Sequence, residues 1–291
     1  MTQILPAHSK DLGGGFLVRR LLPAAQRQAV GPFIFFDHFG PLAVAPEANH
    51  DVRPHPHIGL ATVTYLFEGA IEHRDSVGSV QLIEPGAINW MHAGRGIVHS
   101  ERTPAALRGQ ARRSHGLQLW CALPRAEEDS APWFAHTPAR AIPEWRADGA
   151  RVRVLVGAAF GLRSPVRCSH PTLYLDIALA PGAGLVLEDL PAEAAVYPVA
   201  GDVGCDGEAL APAQMLVLDS GAPHVLTSDA GGRCVLIGGA PLDGPRYLYW
   251  NFVASERARL RQAAEDWEAQ RFPPVPGETE WIPLPEQRPR D

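Results

Sequence analysis

His55-Pro56-His57 and, further along, His99-Ser100-Glu101 each place two metal-ligating side chains two residues apart. On a β-strand, side chains at that spacing point to the same face. Two such strands lying side by side would converge three imidazoles and one carboxylate on a single point. No thiolate takes part, so a closed structural zinc site is disfavoured. The donors suit one divalent transition metal: Fe(II), Mn(II), Ni(II), Cu(II) or Zn(II). Four protein ligands leave an octahedral ion up to two positions for substrate or oxygen.

The flanking residues describe the elements that must carry these pairs. Pro54 and Pro56 stiffen the segment around His55. Gly94-Arg95-Gly96 precedes His99 and allows the backbone to reverse tightly. Short apolar runs at 16–22, 34–37, 61–67, 80–83, 88–91 and 116–123 are separated by turn signals such as Glu84-Pro85-Gly86. The second half repeats the theme at 152–156, 173–180, 195–199, 215–218, 224–228 and 233–238. Tyr65-Leu66-Phe67-Glu68-Gly69 is echoed by Tyr197-Pro198-Val199-Ala200-Gly201, and the run ending in His99 by one ending in His224. An all-β chain with two copies of one antiparallel barrel is expected. The division falls within residues 124–145, which lack clear alternation. It gives an N-terminal metal-binding domain (1–130) and a C-terminal domain without metal (131–291). One short helix is expected near the end, with Ser255 as N-cap and Leu260, Ala264 and Trp267 on its buried face. The tail through Trp281-Ile282-Pro283-Leu284-Pro285 should pack as an extended strip.

Net charge over the 291 residues is −6, which argues against a broad nucleic-acid-binding surface. No apolar stretch approaches the roughly 20 residues needed to span a bilayer, and the first residues lack the pattern of a signal peptide. Four scattered cysteines without CxxC spacing suit a reducing compartment. A cytoplasmic protein without membrane or direct nucleic-acid partners is expected.

Longer motifs extend the pairs. The chain carries Phe36-Asp37-His38-Phe39-Gly40-Pro41, Arg53-Pro54-His55-Pro56-His57-Ile58-Gly59, Trp90-Met91-His92-Ala93-Gly94-Arg95-Gly96-Ile97-Val98-His99-Ser100-Glu101 and His115-Gly116-Leu117-Gln118-Leu119-Trp120. With Pro171-Thr172-Leu173-Tyr174-Leu175-Asp176 and Trp250-Asn251-Phe252-Val253-Ala254-Ser255, they resemble the pirin family of the cupin superfamily over nearly the whole chain. The resemblance implies a bicupin of two jelly-roll barrels, with one metal, commonly Fe(II), in the first. The family's three-histidine, one-glutamate ligand set falls on His55, His57, His99 and Glu101. It also implies oxidative ring cleavage of quercetin-like flavonols with O2 and a small aromatic substrate; in such a reaction Glu101 is the candidate catalytic residue, a ligand that accepts the substrate's hydroxyl proton. The alternative is a redox-responsive regulatory protein that binds an enzyme or transcription factor. Ile58, Leu60, Ala61 and His92 depart from common family residues and bear on substrate preference. Two domains in one chain are consistent with a monomer.

Phe36, Trp90, Met91 and His92 are candidates for the substrate pocket. His73 sits on an expected strand and either lines the cavity or serves structure. His115 is read as a strand residue with a local partner. His8, His38, His50, His136 and His170 are read as surface or capping groups. In the second half His224 matches His99, but Leu226 stands in the place of Glu101, and residues 184–188 contain no histidine. That half cannot build the same site.

Overall fold

The structure, a computed structural model, describes residues 3–13 and 15–287. Met1 and Thr2, part of the signal-peptide reading, lie outside the described residues. The strands that matter in the first half are β1 (Phe33–Val44), β2 (Val52–His57), β3 (Leu60–Glu68), β4 (Ile71–Asp75), β5 (Val80–Ile83), β6 (Ile88–His92), β7 (Ile97–Arg102), β8 (Arg112–Ala122) and β9 (Trp133–Thr137). Those of the second half are β10 (Thr172–Leu179), β11 (Ala183–Leu187), β12 (Glu193–Gly201), β13 (Gly204–Cys205), β14 (Glu208–Ala209), β15 (Gln214–Leu218), β16 (His224–Ser228) and β17 (Gly232–Gly239).

The expected repeat holds strand by strand. A four-stranded antiparallel sheet runs β2-β7-β4-β5 in one half and β11-β16-β13-β14 in the other. A seven-stranded sheet contains β9-β6-β3-β8-β1, then the strands Leu17–Leu22 and His8–Asp11. Its counterpart runs from Gln3–Pro6 through β15-β12-β17-β10 to Ala150–Val156 and Glu144–Ala147. Strands β1–β8 thus correspond in order to β10–β17. All four sheets are open in their strand order among the described residues, so the chain is mostly β in two repeated halves and the expected closed barrels are not seen there.

The two compact units are not divided at residue 130. One comprises residues 3–10, Arg19–Asp37 and Arg140–Pro241; the other comprises Asp11–Val18, His38–Ala139 and Leu242 onward, and the division falls inside β1. The cause is long-range pairing. The strand Gln3–Pro6 pairs with β15, while the C-terminal helix α1 (Arg257–Glu268) packs on Ile58 and Val98. The segment 124–145, within which the division is expected, carries β9, which pairs with β6 along its whole length.

Helix α1 buries Leu260, Ala263, Ala264 and Trp267, the expected face. Its N-cap differs. The helix begins at Arg257 with Glu256 at the cap and no side-chain capping bond. The Ser255 hydroxyl instead donates to Glu128 Oε2 at 2.8 Å, so an ion-pairing carboxylate outcompetes the helix terminus for it. The tail packs as expected. Trp267 Nε1 donates to the Ile282 carbonyl, and Ile282 N donates to the Pro54 carbonyl on β2, the edge strand of its sheet. Glu278 accepts from Ser100 Oγ and, through both oxygens, from Arg102, pinning the tail to β7 as well. No helix is long and apolar enough to cross a membrane among the described residues.

Candidate metal centre

Two neighbouring strands build the site. β2 and β7 are antiparallel, with Ile97 opposite His57 and His99 opposite His55. Prolines 54 and 56 are tolerated because β2 is an edge strand, where a missing N–H costs no ladder bond. The register shifts between His99 and Glu101, and β2 takes up the extra residue. Toward β4 the β7 ladder is regular, with Glu101 opposite His73 and His99 opposite Asp75. At the start of β7, Gly94 adopts φ +50°, and an ideal Cβ there would lie 2.1 Å from the Ser130 carbonyl oxygen.

His55, His57 and His99 offer ring nitrogens that all lie within 4.8 Å of one another, and all three residues are buried. His57 Nε2 and His99 Nε2 are 3.1 Å apart. Burial pushes the His55 imidazole down to about 4. Burial, reinforced by the neighbouring imidazoles, holds His57 and His99 well below the usual range. The three rings are therefore neutral near pH 7.

The outer hydrogen bonds decide which nitrogen carries the proton. His55 Nδ1 donates to the Arg53 carbonyl at 2.8 Å, leaving its Nε2 as a lone pair. His99 Nδ1 lies 3.3 Å from His73 Nδ1, and His73 Nε2 lies 2.8 Å from Asp75 Oδ2. Burial raises Asp75, but bonds from His73 and Ser79 outweigh it and hold the carboxyl below its ordinary value. Asp75 Oδ2 accepts a hydrogen bond from His73 Nε2–H, which leaves His73 Nδ1 to accept from His99 Nδ1. His99 is left with its Nε2 lone pair facing His57. Lone pairs on His55 and His99, with His57 Nε2 beside them, are satisfied by a cation, and this donor set fits a divalent transition metal.

Glu101 lies outside the group of nitrogens within 4.8 Å, although it shares the His99 face of β7 by alternation. Burial raises its carboxyl to about 7. Two aromatic rings border the histidines. Phe134 stacks on His73 at 4.3 Å and 15°, and Trp120 meets His57 edge-on at 5.3 Å.

The four pocket candidates separate. Met91 lies in register with Phe134 on the histidine-facing side of β6 and packs with it. Trp90 and His92 alternate to the other face. His92 stacks on Trp133 at 5.0 Å and bonds Ser130 Oγ. Phe36 belongs to the other unit, where it is fully buried and meets Tyr197 edge-on at 5.0 Å.

Two histidines read as surface or capping groups, His38 and His136, have side-chain partners within the fold. His38 is buried, its Nε2 2.8 Å from His115 Nε2. The partner of His115 is thus distant in sequence. His136 bonds Asn89 from β9. These pairings depend on strand register and leave no trace in local spacing.

The second unit lacks counterparts of His55 and Glu101. Leu187 faces His224 where His55 faces His99, and Leu226 faces Cys205 where Glu101 faces His73. Those leucines join Leu185 and Cys205 in one apolar core. Cys205, Asp206 and His224 do come within 4.8 Å. However, His224 Nδ1 bonds Asp206 at 2.6 Å and its Nε2 bonds the Asp219 carbonyl at 2.9 Å. Both ring nitrogens are engaged with acceptors, so neither offers a lone pair.

Repeated eight-stranded halves with a histidine cluster in one of them define a cupin. The family signature described as Pirin matches residues 15–121, and the Pirin C-terminal cupin domain matches residues 174–273. A pirin-like protein of Caulobacter vibrioides is 45% identical over 97% of this chain and 99% of its own length. Mouse pirin is 35% identical over 88% of this chain and 87% of its own. Among solved structures, a quercetin 2,3-dioxygenase from Acinetobacter baumannii superimposes with a TM-score of 0.90 and 35% identity, covering 98% of this chain and 96% of the other. The chain belongs to the pirin family.

Proposed function

We propose that this protein is an Fe(II)-dependent dioxygenase that cleaves quercetin-like flavonols with O2. The observation that carries this reading is the convergence of three buried, neutral imidazoles beside two aromatic rings. Its similarity to the Acinetobacter quercetin 2,3-dioxygenase over nearly its whole length supports the substrate class.

When bound, the iron supplies Lewis acidity and redox chemistry with O2. His55, His57 and His99 would hold it, with Glu101 as the fourth ligand. Glu101 would also accept the substrate's 3-hydroxyl proton. His73 and Asp75 fix the His99 tautomer. Trp120 and Phe134 flank the aromatic body of the substrate and exclude water, with the two sheets of this unit as the walls of a cupin barrel.

The test is oxygen uptake by anaerobically Fe(II)-loaded protein given quercetin, beside a His99→Ala variant. The expected result is one CO released per O2 consumed in the wild type and neither in the variant. No uptake by protein shown to contain iron would transfer the weight to the regulatory reading.

A further inference from the structure

The sheet opposite the histidines carries two in-register rows of side chains on one face. The first is Phe134, Met91, Thr62 and Trp120, paired successively across β9, β6, β3 and β8. Its two end members touch His73 and His57, which identifies the face that looks at the metal centre. Two residues along each strand, on that same face, stand His136, Asn89, Thr64 and Gln118, again in register. The second row lies about 7 Å from the first along the strands.

The first row is mainly apolar; the second is entirely polar. His136 Nδ1 bonds Asn89 Oδ1 at 2.7 Å, and Thr64 Oγ1 donates to Gln118 Oε1 at 2.9 Å. Those bonds use the two amide carbonyls and leave the amide NH2 groups as donors. Asn89 is only 3% exposed, a costly place for an amide unless its donors find an acceptor.

The other half of the chain supplies a control. The row corresponding to Asn89, Thr64 and Gln118 is Leu216, Val196 and Leu236, in register on β15, β12 and β17. All three belong to the apolar core of that unit. The architecture therefore accepts an apolar row here, and the polar one accompanies the histidine cluster.

We propose that Asn89 and Gln118, held by His136 and Thr64, form a hydrogen-bonding subsite for the end of the substrate remote from the metal. The ligand it fits is a planar aromatic that chelates the metal at one edge, lies over the Phe134–Trp120 row, and presents oxygen acceptors to the two amide NH2 groups. This rests on the flavonol reading above and sharpens it to flavonols hydroxylated on the distal ring.

The experiment compares quercetin with 3-hydroxyflavone, which keeps the chelating oxygens and lacks the other hydroxyls. Binding is read by absorbance on Ni(II)-loaded protein under argon, so that turnover plays no part. Asn89→Asp and Gln118→Glu keep size and the existing acceptor oxygens while removing the NH2 donors; metal content and thermal melting are recorded for each. The wild type should prefer quercetin, and each variant should reduce that preference about tenfold, the equivalent of one hydrogen bond. An unchanged preference in folded, metal-loaded variants overturns the subsite while leaving the flavonol reading standing. Failure of the metal-loaded wild type to bind either compound overturns both.

Discussion

His73 Nδ1 stands 3.3 Å from His99 Nδ1, while the other nitrogen of the same ring pairs with Asp75. A buried carboxylate thereby sets the proton position on a candidate metal ligand through an intervening imidazole. Asp75→Asn keeps Oδ1, which accepts from Val77 N and Ser79 N, and replaces Oδ2 with a donor. His73 must then turn its lone pair toward the introduced amide and its proton toward His99. We expect Ni(II) affinity to fall by about 10- to 100-fold, measured by titration of the apo-protein, with the melting temperature little changed. Wild-type affinity would remove the relay.

Glu101 invites a narrower test. Glu101→Gln retains shape but cannot accept a full proton. In the iron-loaded protein kcat for quercetin should fall at least about 100-fold. A variant that keeps both iron and wild-type turnover shows that the proton goes elsewhere.

His224 provides a pH-dependent lock in the other unit. Burial opposes its charge, but the Asp219 carbonyl and the Asp206 carboxylate outweigh burial and raise its value above 6.5. The folded state thus holds the proton more tightly than the unfolded chain. The stabilisation is complete below pH 6.5 and drains away as pH climbs through the higher folded value. Urea midpoints of wild type and His224→Gln should differ most near pH 5 and converge in alkaline solution. A gap that widens with pH contradicts the assignment. Metal content should match wild type, since both nitrogens of this ring are already engaged.

Gly94→Ala should destabilise the fold by at least about 2 kcal/mol in chemical denaturation, because a side chain at positive φ adds strain and its Cβ would meet the Ser130 carbonyl. An Ala variant as stable as wild type would mean that the turn before His99 has room to relax.

The histidine pairs were legible because strand alternation is a local rule: two residues apart means one face. The repeat was legible for a similar reason, since turn signals and apolar runs recur in order. What lay beyond the sequence is what register decides. Nothing near His73 announces that β4 will set it beside His99, and nothing near His136 points to Asn89 on β6. Trp90 and Met91 could not both face the histidines, and only the pairing of β9 with β6 shows which one does. Ser255 has the right type for an N-cap, but Glu256 takes the cap and the Ser255 hydroxyl goes to Glu128, far away in sequence. The contiguous division at 130 overlooked two excursions, the strand Gln3–Pro6 and helix α1, each of which completes the half it does not adjoin in sequence.

The hydrogen bond from Ile282 to Pro54 gives the chain a timetable. During synthesis β2 leaves the ribosome carrying His55 and His57 long before the strip that covers it exists. Through that interval the histidine strand is an open edge, available to any passing extended segment, and its two prolines are the protection it carries from the start. A nascent or prematurely ended chain would therefore be vulnerable at the very strand that supplies two of the three histidines, and a shortage of the last segment would surface as misassembly before it surfaced as lost activity.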